Sequence, residues 1–296
     1  MDTAAVRARE PSRLGAAARR QRVAGVGTRH LLLVALLVVT LYPLFWMLAA
    51  SFEPSAQIFV NAGLLPKTWT FSNYKDGWYP MQNLSFSRLF ANSLLIAGLA
   101  VIGNVCSCTM AAYAFARLRF RARGILFGIM LLTIMLPYQV LIIPQYILFL
   151  RFGWLNTYLP LVVPRFLAVD AFFIFLVVQF IRGLPRELDE AAIIDGCGHW
   201  QVFCRIIVPL ATPAMATTAI FTFLNSWNDF LGPLLYLTKP ATYTVPLGLN
   251  LFLDLNETSQ WGPLFAMSVL SLVPILIIFV SFQRLLTEGI STTGIR

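Results

Sequence analysis

Charged residues are scarce in this chain of 296 residues: Asp, Glu, Lys and Arg together make up 12%, whereas hydrophobic residues make up 58%. Soluble domains are typically about a quarter charged, so this composition excludes an ordinary water-soluble protein. Lysine is rarer still, and none of the lysines follows a glycine. The chain therefore lacks the Gly-Lys-Ser/Thr loop that cradles ATP phosphates, which argues against ATP hydrolysis by this chain.

Histidine and cysteine are also few. His30 and His199 are too distant in sequence to suggest a metal site or a catalytic triad. The cysteines have neither zinc-site spacing nor the pattern of a disulfide framework, so we expect them to be small packing residues. They are Cys106, Cys108, Cys197 and Cys204. We expect no metal, no cofactor bound by this chain and no enzymatic activity.

Long apolar runs dominate what remains. A run of about 20 apolar residues is long enough to cross a bilayer as a helix, and lipid leaves the backbone few alternatives to helix. The sequence therefore predicts an all-α membrane protein with six transmembrane helices. The predicted spans are 30–50, 89–114, 124–143, 161–181, 210–231 and 264–283.

The distribution of arginine and lysine predicts the orientation of these spans. Sixteen of the 22 basic residues lie before the first span, in alternate connections or after the last span. Because such residues accumulate on the inner side of a membrane, both termini are expected to be cytoplasmic. This pattern accounts for the net charge of +9 without nucleic-acid binding.

The same distribution divides the chain into three parts. Residues 1–29 are predicted to be a basic, disordered cytoplasmic segment that can lie on anionic membrane lipid. Residues 30–283 form the membrane domain, and 284–296 form a cytoplasmic tail. The first apolar run is too long for a signal peptide, so we expect it to remain as an uncleaved span.

Polar residues inside the spans mark two places of interest. Asn225, Trp227, Asn228 and Asp229 stand near the outer end of the fifth span, where amides, an acid and an indole suit a sugar pathway. A hydrogen-bonded contact between helices is the equally weighted alternative. In the second span, packing is favoured for the polar residues over substrate contact. These are Asn92, Ser93, Asn104, Ser107 and Thr109.

A proline interrupts the third span. Met135-Leu136-Pro137 is expected to kink or break the helix there, because proline cannot donate the backbone hydrogen bond.

Residues 182–209 form a polar loop between the fourth and fifth spans. Pro185 precedes a run with acids in its first turn, which is typical of a helix start. Gly196 and Gly198 are expected to end this helix and let the chain turn. A second helix should follow with one apolar stripe. The predicted stripe is Trp200, Phe203, Cys204 and Ile207. Composition alone leaves a docking element and an ordinary solvated hairpin close to even.

The spacing within this loop resembles a family signature. Residues 190–209 read Glu-Ala-Ala-x3-Gly-x9-Ile-x-Val-Pro, with Val208 where leucine is usual. Shorter matches are Ala112-Tyr113-Ala114-Phe115-Ala116-Arg117, Trp227-Asn228-Asp229-Phe230 and Glu288-Gly289-Ile290. The chain is similar to permease subunits of bacterial carbohydrate importers of the ATP-binding-cassette (ABC) class, in the binding-protein-dependent family. It looks most like the smaller permease of maltose-type systems.

The resemblance implies a type I ABC importer permease fold in the bacterial cytoplasmic membrane. Its implied partners are a second homologous permease, two ATPase subunits that hold ATP and Mg²⁺, an extracytoplasmic sugar-binding protein and membrane lipid. The implied function is import of a sugar or oligosaccharide. A secondary transporter or channel for a small polar solute is the alternative.

The resemblance also implies roles for individual residues. Contact with the ATPase falls on Glu190, Ala191, Ala192, Asp195, Gly196, Ile206 and Pro209. Contact with the binding protein falls on Leu251, Asn256 and Trp261 in the late outer loop.

Overall fold

A computed structural model describes residues 13–60, 63–253 and 259–291. In these ranges the regular secondary structure is helical, apart from one isolated bridge between Met81 and Leu84, and turns and loops connect the helices. The α-helices are α1 Arg13–Ala50, α2 Ser72–Gly77, α3 Phe86–Arg117, α4 Arg123–Ile134, α5 Tyr138–Arg151, α6 Leu159–Val162, α7 Ala171–Gly183, α8 Glu187–Ile194, α9 His199–Val202, α10 Val208–Leu210, α11 Thr212–Trp227, α12 Leu231–Tyr236, α13 Val245–Asn250 and α14 Trp261–Ser291. Short 3₁₀ turns cover Val163–Leu167 and Pro240–Thr242, and a π-helical turn covers Phe203–Ile207.

Four of the described helical segments are long and apolar enough to cross a membrane, and two further segments are bent pairs of helices. The four are Arg29–Ala50, Phe86–Arg117, Leu159–Gly183 and Trp261–Gln283. Six spans result only if each bent pair is counted as one span. Predominantly helical membrane architecture is confirmed, whereas the number of six spans and the cytoplasmic termini stay predictions.

The predicted break of the third span is confirmed. Helix α4 ends at Ile134, α5 begins at Tyr138, and the two helices meet at 101°. Pro137 has an extended backbone conformation at the start of α5. Its missing N–H group is harmless at that position, where a helix has no partner for it. The apolar run 124–143 is therefore two helices and not one straight helix.

The fifth predicted span, 210–231, differs from the structure at both ends. His199–Leu210 and Thr212–Trp227 meet at 74°, so the chain turns at Ala211 before α11 begins. Helix α11 then ends at Trp227. Asn228 and Asp229 thus follow the helix, since short polar side chains compete with the backbone for hydrogen bonds and favour helix ends. The prediction that they lie within a helical span is wrong.

Helix α3 is the central helix of the described fold and packs against α7, α11 and α13. Its buried polar side chains bond to other elements. Asn104 donates from Nδ2 to Thr222 Oγ1 on α11 at 2.8 Å, and Ser107 donates to the Arg165 carbonyl at 2.8 Å. Asn92 donates to the Tyr243 carbonyl at 2.9 Å. The packing interpretation is confirmed for Asn92, Ser93, Asn104 and Ser107. Thr109 is also buried, but its hydroxyl has no hydrogen-bond partner in the described part of the chain.

Two apolar clusters surround α3. One lies at the end that carries residues 182–209 and joins Ala112, Ile181 and Ile207. The other lies at the opposite end of α3 and joins Leu89 to α11 and α14 through Trp227 and Met267. The buried polar bonds lie between and within these clusters, so they fix the register of the neighbouring helices.

We expect Thr222→Val to destabilise the protein by roughly 0.6–1.7 kcal/mol, the range measured for hydrogen bonds between membrane helices. Valine keeps the shape and removes the acceptor for Asn104. The matched control is Thr40→Val, because Thr40 is exposed and its hydroxyl bonds only to carbonyls of its own helix. Thermal unfolding of both purified variants in detergent measures the effect. Equal midpoints would contradict a stabilising role for the Asn104–Thr222 bond.

Candidate functional site

The loop 182–209 contains the predicted acidic helix. Helix α8 spans Glu187–Ile194 and carries Glu187, Asp189 and Glu190 in its first turn. These negative charges lie at the end of the helix where unpaired N–H groups concentrate positive charge, which stabilises the helix.

Gly196 ends α8 in the way the sequence predicts. Its φ of +84° is left-handed, a conformation that favours glycine. The Cys197 N–H donates to the Ala192 carbonyl at 2.9 Å, and the Gly196 N–H donates to the Ile193 carbonyl at 3.0 Å. This pair of bonds is a Schellman motif, which satisfies carbonyls at the helix end. Gly198 differs, since its φ of −77° is open to any residue.

The predicted apolar stripe of the second helix is wrong in part. Phe203 and Ile207 are 7% and 1% exposed, but Trp200 is 66% exposed and Cys204 is also on the surface. Val202 is buried instead. Cys204 lies in the π-helical turn Phe203–Ile207, which widens the helix and shifts the face that its residues present. A stripe counted at regular α-helical spacing cannot follow that shift. Trp200 precedes that turn and lies beside Phe203, with ring centroids 5.3 Å apart, but its side chain remains exposed.

Two residues of α3 hold this loop through three contacts. Arg117 pairs with Asp189 across 2.8 Å between Nε and Oδ2, and their side chains are only 5% and 13% exposed. Arg117 also donates from Nη2 to the Leu184 carbonyl at 2.9 Å. The Tyr113 hydroxyl donates to the His199 carbonyl at 3.2 Å. Both helices of the loop are therefore held by α3.

Sequence reasoning missed this ion pair. Asp189 looked like one of three equivalent acids at a helix start, and Arg117 looked like a topology signal. Burial raises the pKa of the Asp189 carboxyl, and the Arg117 guanidinium opposes that rise. The arginine thus offsets part of the cost of burying the carboxylate.

The solvent-exposed face of the loop 182–209 carries apolar and acidic side chains. Ile193 and Ile194 are 49% and 85% exposed, and Glu190 and Ala191 are exposed beside them. Ala192 faces inward, at 7% exposure. Among the other residues expected at the ATPase, Asp195, Gly196 and Pro209 are exposed and Ile206 is half-buried. A cavity of about 540 Å³ lies between this loop and the end of α3, lined in part by Arg186, Glu190 and His199.

The four residues predicted to line a sugar pathway are not together. Trp227 is 2% exposed, stacks on Phe223 with ring centroids 5.6 Å apart, and donates from Nε1 to the Ser271 carbonyl at 3.2 Å. It is a core residue, which corrects its placement on a pathway. Asn225 and Asn228 are exposed, and Asn228 bonds to the Leu224 carbonyl of the preceding turn at 3.0 Å.

Asp229 lies apart from them, on the wall of a second cavity. This cavity measures about 340 Å³ and also includes Tyr138, Arg165 and Tyr236. The Asp229 carboxylate accepts the Gly232 N–H at 3.0 Å. Within the described part of the chain, no group of three or more His, Cys, Asp or Glu side chains could hold a metal ion.

Residues 251–261, where the sequence predicts contact with a binding protein, are described by the structure on both sides of 254–258. Leu251 is half-buried and packs on the cluster around Trp227. Trp261 begins α14 and contacts Phe59, with ring centroids 5.1 Å apart. Asn256 lies outside the described residues. Contact of these residues with a binding protein stays a prediction.

Comparison with known proteins identifies the family of this chain. The family described as "Binding-protein-dependent transport system inner membrane component" matches residues 103–292. The arabinooligosaccharides transport system permease protein AraQ of Halalkalibacterium halodurans is 34% identical over 266 residues, 87% of this chain and 92% of the relative. The trehalose/maltose transport system permease protein MalG of Thermococcus litoralis is 30% identical over 264 residues, 89% of this chain and 94% of the relative.

The fold also matches a solved structure. A chain in the crystal structure of a bacterial ABC transporter involved in the import of the acidic polysaccharide alginate superposes with a TM-score of 0.78. The match covers 94% of this chain and 99% of that chain at 22% identity. At that identity, the likeness concerns the fold.

We expect Arg117→Met to destabilise the protein by about 3–5 kcal/mol, because it leaves the Asp189 carboxylate buried without its partner. Adding Asp189→Leu should restore most of the loss. The matched control is Arg119→Met, an exposed arginine two residues further on. Thermal unfolding of the three variants and the parent protein forms the test. If the double variant is as unstable as Arg117→Met, the unpaired carboxylate is not the cause.

The pH dependence of Arg117→Met has a definite sign. Without the guanidinium, the pKa of Asp189 rises further above its usual value in the folded state. The folded state then binds the proton more tightly than the unfolded state, so stability falls as pH rises through the interval between the two pKa values. The deficit against the parent protein should therefore shrink at acidic pH.

Proposed function

The chain belongs to the family of binding-protein-dependent transport system inner membrane components, and on that basis we propose that it is the permease subunit through which an ABC importer carries a sugar or oligosaccharide across the bacterial cytoplasmic membrane. The family match spans 190 residues, from 103 to 292. A member of this family is a transport component and not an enzyme.

The class of substrate is proposed from the relatives. One relative is named for arabinooligosaccharides and another for trehalose and maltose. Each aligns with most of this chain at 30% identity or more. A carbohydrate substrate also suits the polar groups at the end of α11, where Asn225, Asn228 and Asp229 offer donors and acceptors for hydroxyl groups.

The proposal of coupling rests on one observation: the loop 182–209 presents an exposed apolar and acidic face while its other face is fastened to α3. Ile193, Ile194 and Trp200 together leave large apolar surfaces uncovered, which marks a contact site for another protein. The Arg117–Asp189 pair holds α8 to the end of a 32-residue helix. A force applied at α8 is therefore carried to α3.

The proposed assembly contains this chain, a second homologous permease, two ATPase subunits and an extracytoplasmic sugar-binding protein. The ATPase subunits would hold ATP and Mg²⁺ and grip the loop at Glu190, Ala191 and Gly196. The late outer loop around Leu251 and Trp261 would meet the binding protein. This arrangement requires that both termini, like the loop 182–209, lie in the cytoplasm.

A secondary transporter or channel is the rival function. Ion-coupled transport needs ionisable residues along the spans. Within the described candidate spans, Asp170 is the acidic residue, and it is already paired with Arg165, whereas Asp229 follows the end of α11. Together with membership in a binding-protein-dependent family, this favours transport driven by a separate ATPase.

We expect Glu190→Lys to reduce co-purification of the ATPase subunits and to lower ATP-dependent sugar uptake at least about tenfold, a change that corresponds to about 1.4 kcal/mol. The exposed carboxylate would be replaced by a cation on the docking face. Glu187→Lys is the matched control, since Glu187 lies in the same turn and keeps the same net charge change. Co-expression, pull-down in mild detergent and uptake by proteoliposomes provide the measurements. Uptake driven by this chain without any ATPase would reject the proposed function.

We expect Gly196→Pro to abolish most ATP-dependent uptake while membrane insertion is kept. Proline fixes φ near −65°, which is incompatible with +84°, and it removes the N–H that bonds to Ile193. No atom lies within 4 Å of the position that a side chain would occupy at Gly196, so backbone geometry and not a clash causes the effect. Gly198→Ala is the control, because its φ is ordinary and its surroundings are equally open. Normal uptake by Gly196→Pro would contradict a role for this turn in coupling.

A further inference from the structure

The 340 Å³ cavity beside Asp229 has the size and lining of a small-molecule site. Its walls come from α3, α5, α6, the chain between α6 and α7, and the segment from the end of α11 to α12. The volume lies at the lower end of the range of about 300–1,000 Å³ for ligand pockets. Such pockets combine aromatic walls with a few polar groups. Here Tyr138, Phe149 and Tyr236 supply rings, and Gln145, Ser226 and Asp229 supply polar atoms.

The charges in this cavity exclude one class of ligand. Among the described residues that line the cavity, Arg165 is the only basic one, and it forms an ion pair with Asp170, another lining residue. Asp229 adds a second carboxyl group. The cavity therefore holds no unpaired cation for a carboxylate or phosphate, and a carboxylate entering it would meet acceptors and not free charged donors.

A buried hydroxyl group in the cavity has an incomplete set of hydrogen bonds. Tyr236 is 2% exposed, and in the described part of the chain its hydroxyl faces the Tyr138 side chain without completing a hydrogen bond of full geometry. A buried hydroxyl without a hydrogen bond is costly and uncommon. Since Tyr236 lines the cavity, a ligand oxygen there would supply the missing partner.

The aromatic and carboxyl groups match the chemistry of a sugar. Asp229 accepts the backbone N–H groups of Gly232 and Leu231, and a carboxylate has about four acceptor positions, so about two remain. The remaining positions suit the hydroxyl groups of a sugar ring. Tyr138 is 46% exposed and offers a ring face for the apolar side of that sugar.

We infer that this cavity is a saccharide subsite for a neutral sugar ring, so that this chain itself contacts the transported oligosaccharide. The inference rests on the proposed function and adds the place of contact and the charge class of the substrate. An uncharged, hydroxyl-rich ring satisfies Tyr236 and Asp229, whereas a uronate does not fit the charges.

The test labels the cavity wall and asks which sugars protect it. Ser226→Cys places a thiol on the wall, in a chain whose Cys106, Cys197 and Cys204 are replaced by serine; Cys108 is buried and stays. The purified complex with its ATPase and permease partners, in nanodiscs, is treated with a water-soluble methanethiosulfonate reagent. The probes are maltotriose, arabinotriose and an alginate trisaccharide, each tested without nucleotide and in the vanadate-trapped state.

We expect maltotriose or arabinotriose, at about ten times its Kd, to slow the labelling of the thiol introduced by Ser226→Cys about tenfold. The alginate trisaccharide should leave the labelling rate unchanged. Equal protection by the alginate trisaccharide would overturn the charge class. No protection by either neutral sugar in both states would overturn the subsite.

Two variants assign the contact. Tyr236→Phe keeps the ring and removes only the hydroxyl. We expect its melting temperature to be unchanged or raised. The sugar concentration for half protection should rise about threefold to tenfold, because the ligand loses a hydrogen bond. Asp229→Asn should raise it about tenfold or more. Asp76→Asn, at an exposed position outside the cavity, is the control. An unchanged half-protection concentration in Tyr236→Phe and Asp229→Asn would overturn the assignment.

Uptake by the same complex separates the two levels of the proposal. ATP-dependent uptake of a neutral probe without protection of the cavity leaves the proposed function intact and rejects the subsite. Absence of ATP-dependent uptake for all three probes, together with absence of protection, counts against sugar import itself.

Discussion

Hydrogen bonds from buried polar side chains of α3 are the constraint on which the rest of the fold depends. In a membrane, a polar side chain without a partner is expensive, so each of these groups fixes the position of whatever it bonds. Asn92 holds the segment just before α13 through the Tyr243 carbonyl, and Asn104 holds α11 through Thr222. Apolar packing alone would bring these helices together, but it would not choose their register.

The same helix reaches the loop 182–209 at its other end. Arg117 is the last residue of α3, and through Asp189 and the Leu184 carbonyl it holds α8. One continuous helix therefore connects the segment around Tyr243, helix α11 and the loop 182–209. This connection gives a physical route by which a displacement of the loop alters packing far from it. The broken pair α4–α5 lies outside that route and supplies part of the cavity wall instead.

Features set by neighbouring residues could be predicted from the sequence. The helix end at Gly196 and the break at Pro137 follow from backbone chemistry that is local to each residue. Features that depend on distant partners could not be predicted. Nothing in the sequence pairs Arg117 with Asp189, and nothing marks the π-helical turn that places Cys204 on the surface.

The predicted pathway residues at the end of α11 also depend on contacts that the sequence does not reveal. The motif around Trp227 predicted that a polar cluster would share one surface, but Trp227 is buried against Phe223 while Asp229 turns to a separate cavity. The short helix end at Trp227 causes this separation, since residues after a helix end no longer follow its faces. Tyr236, which completes the cavity, gave no signal in the sequence because aromatic residues are common near membrane boundaries.

The uncovered isoleucines and tryptophan of the loop have a consequence for biosynthesis. A chain made in excess of its assembly partners would display Ile194, 85% exposed, and Trp200, 66% exposed, to water. Such surfaces attract chaperones, proteases and other unfolded chains. In the proposed assembly, production of this subunit must therefore match production of the ATPase that covers this face, and surplus copies become targets for degradation.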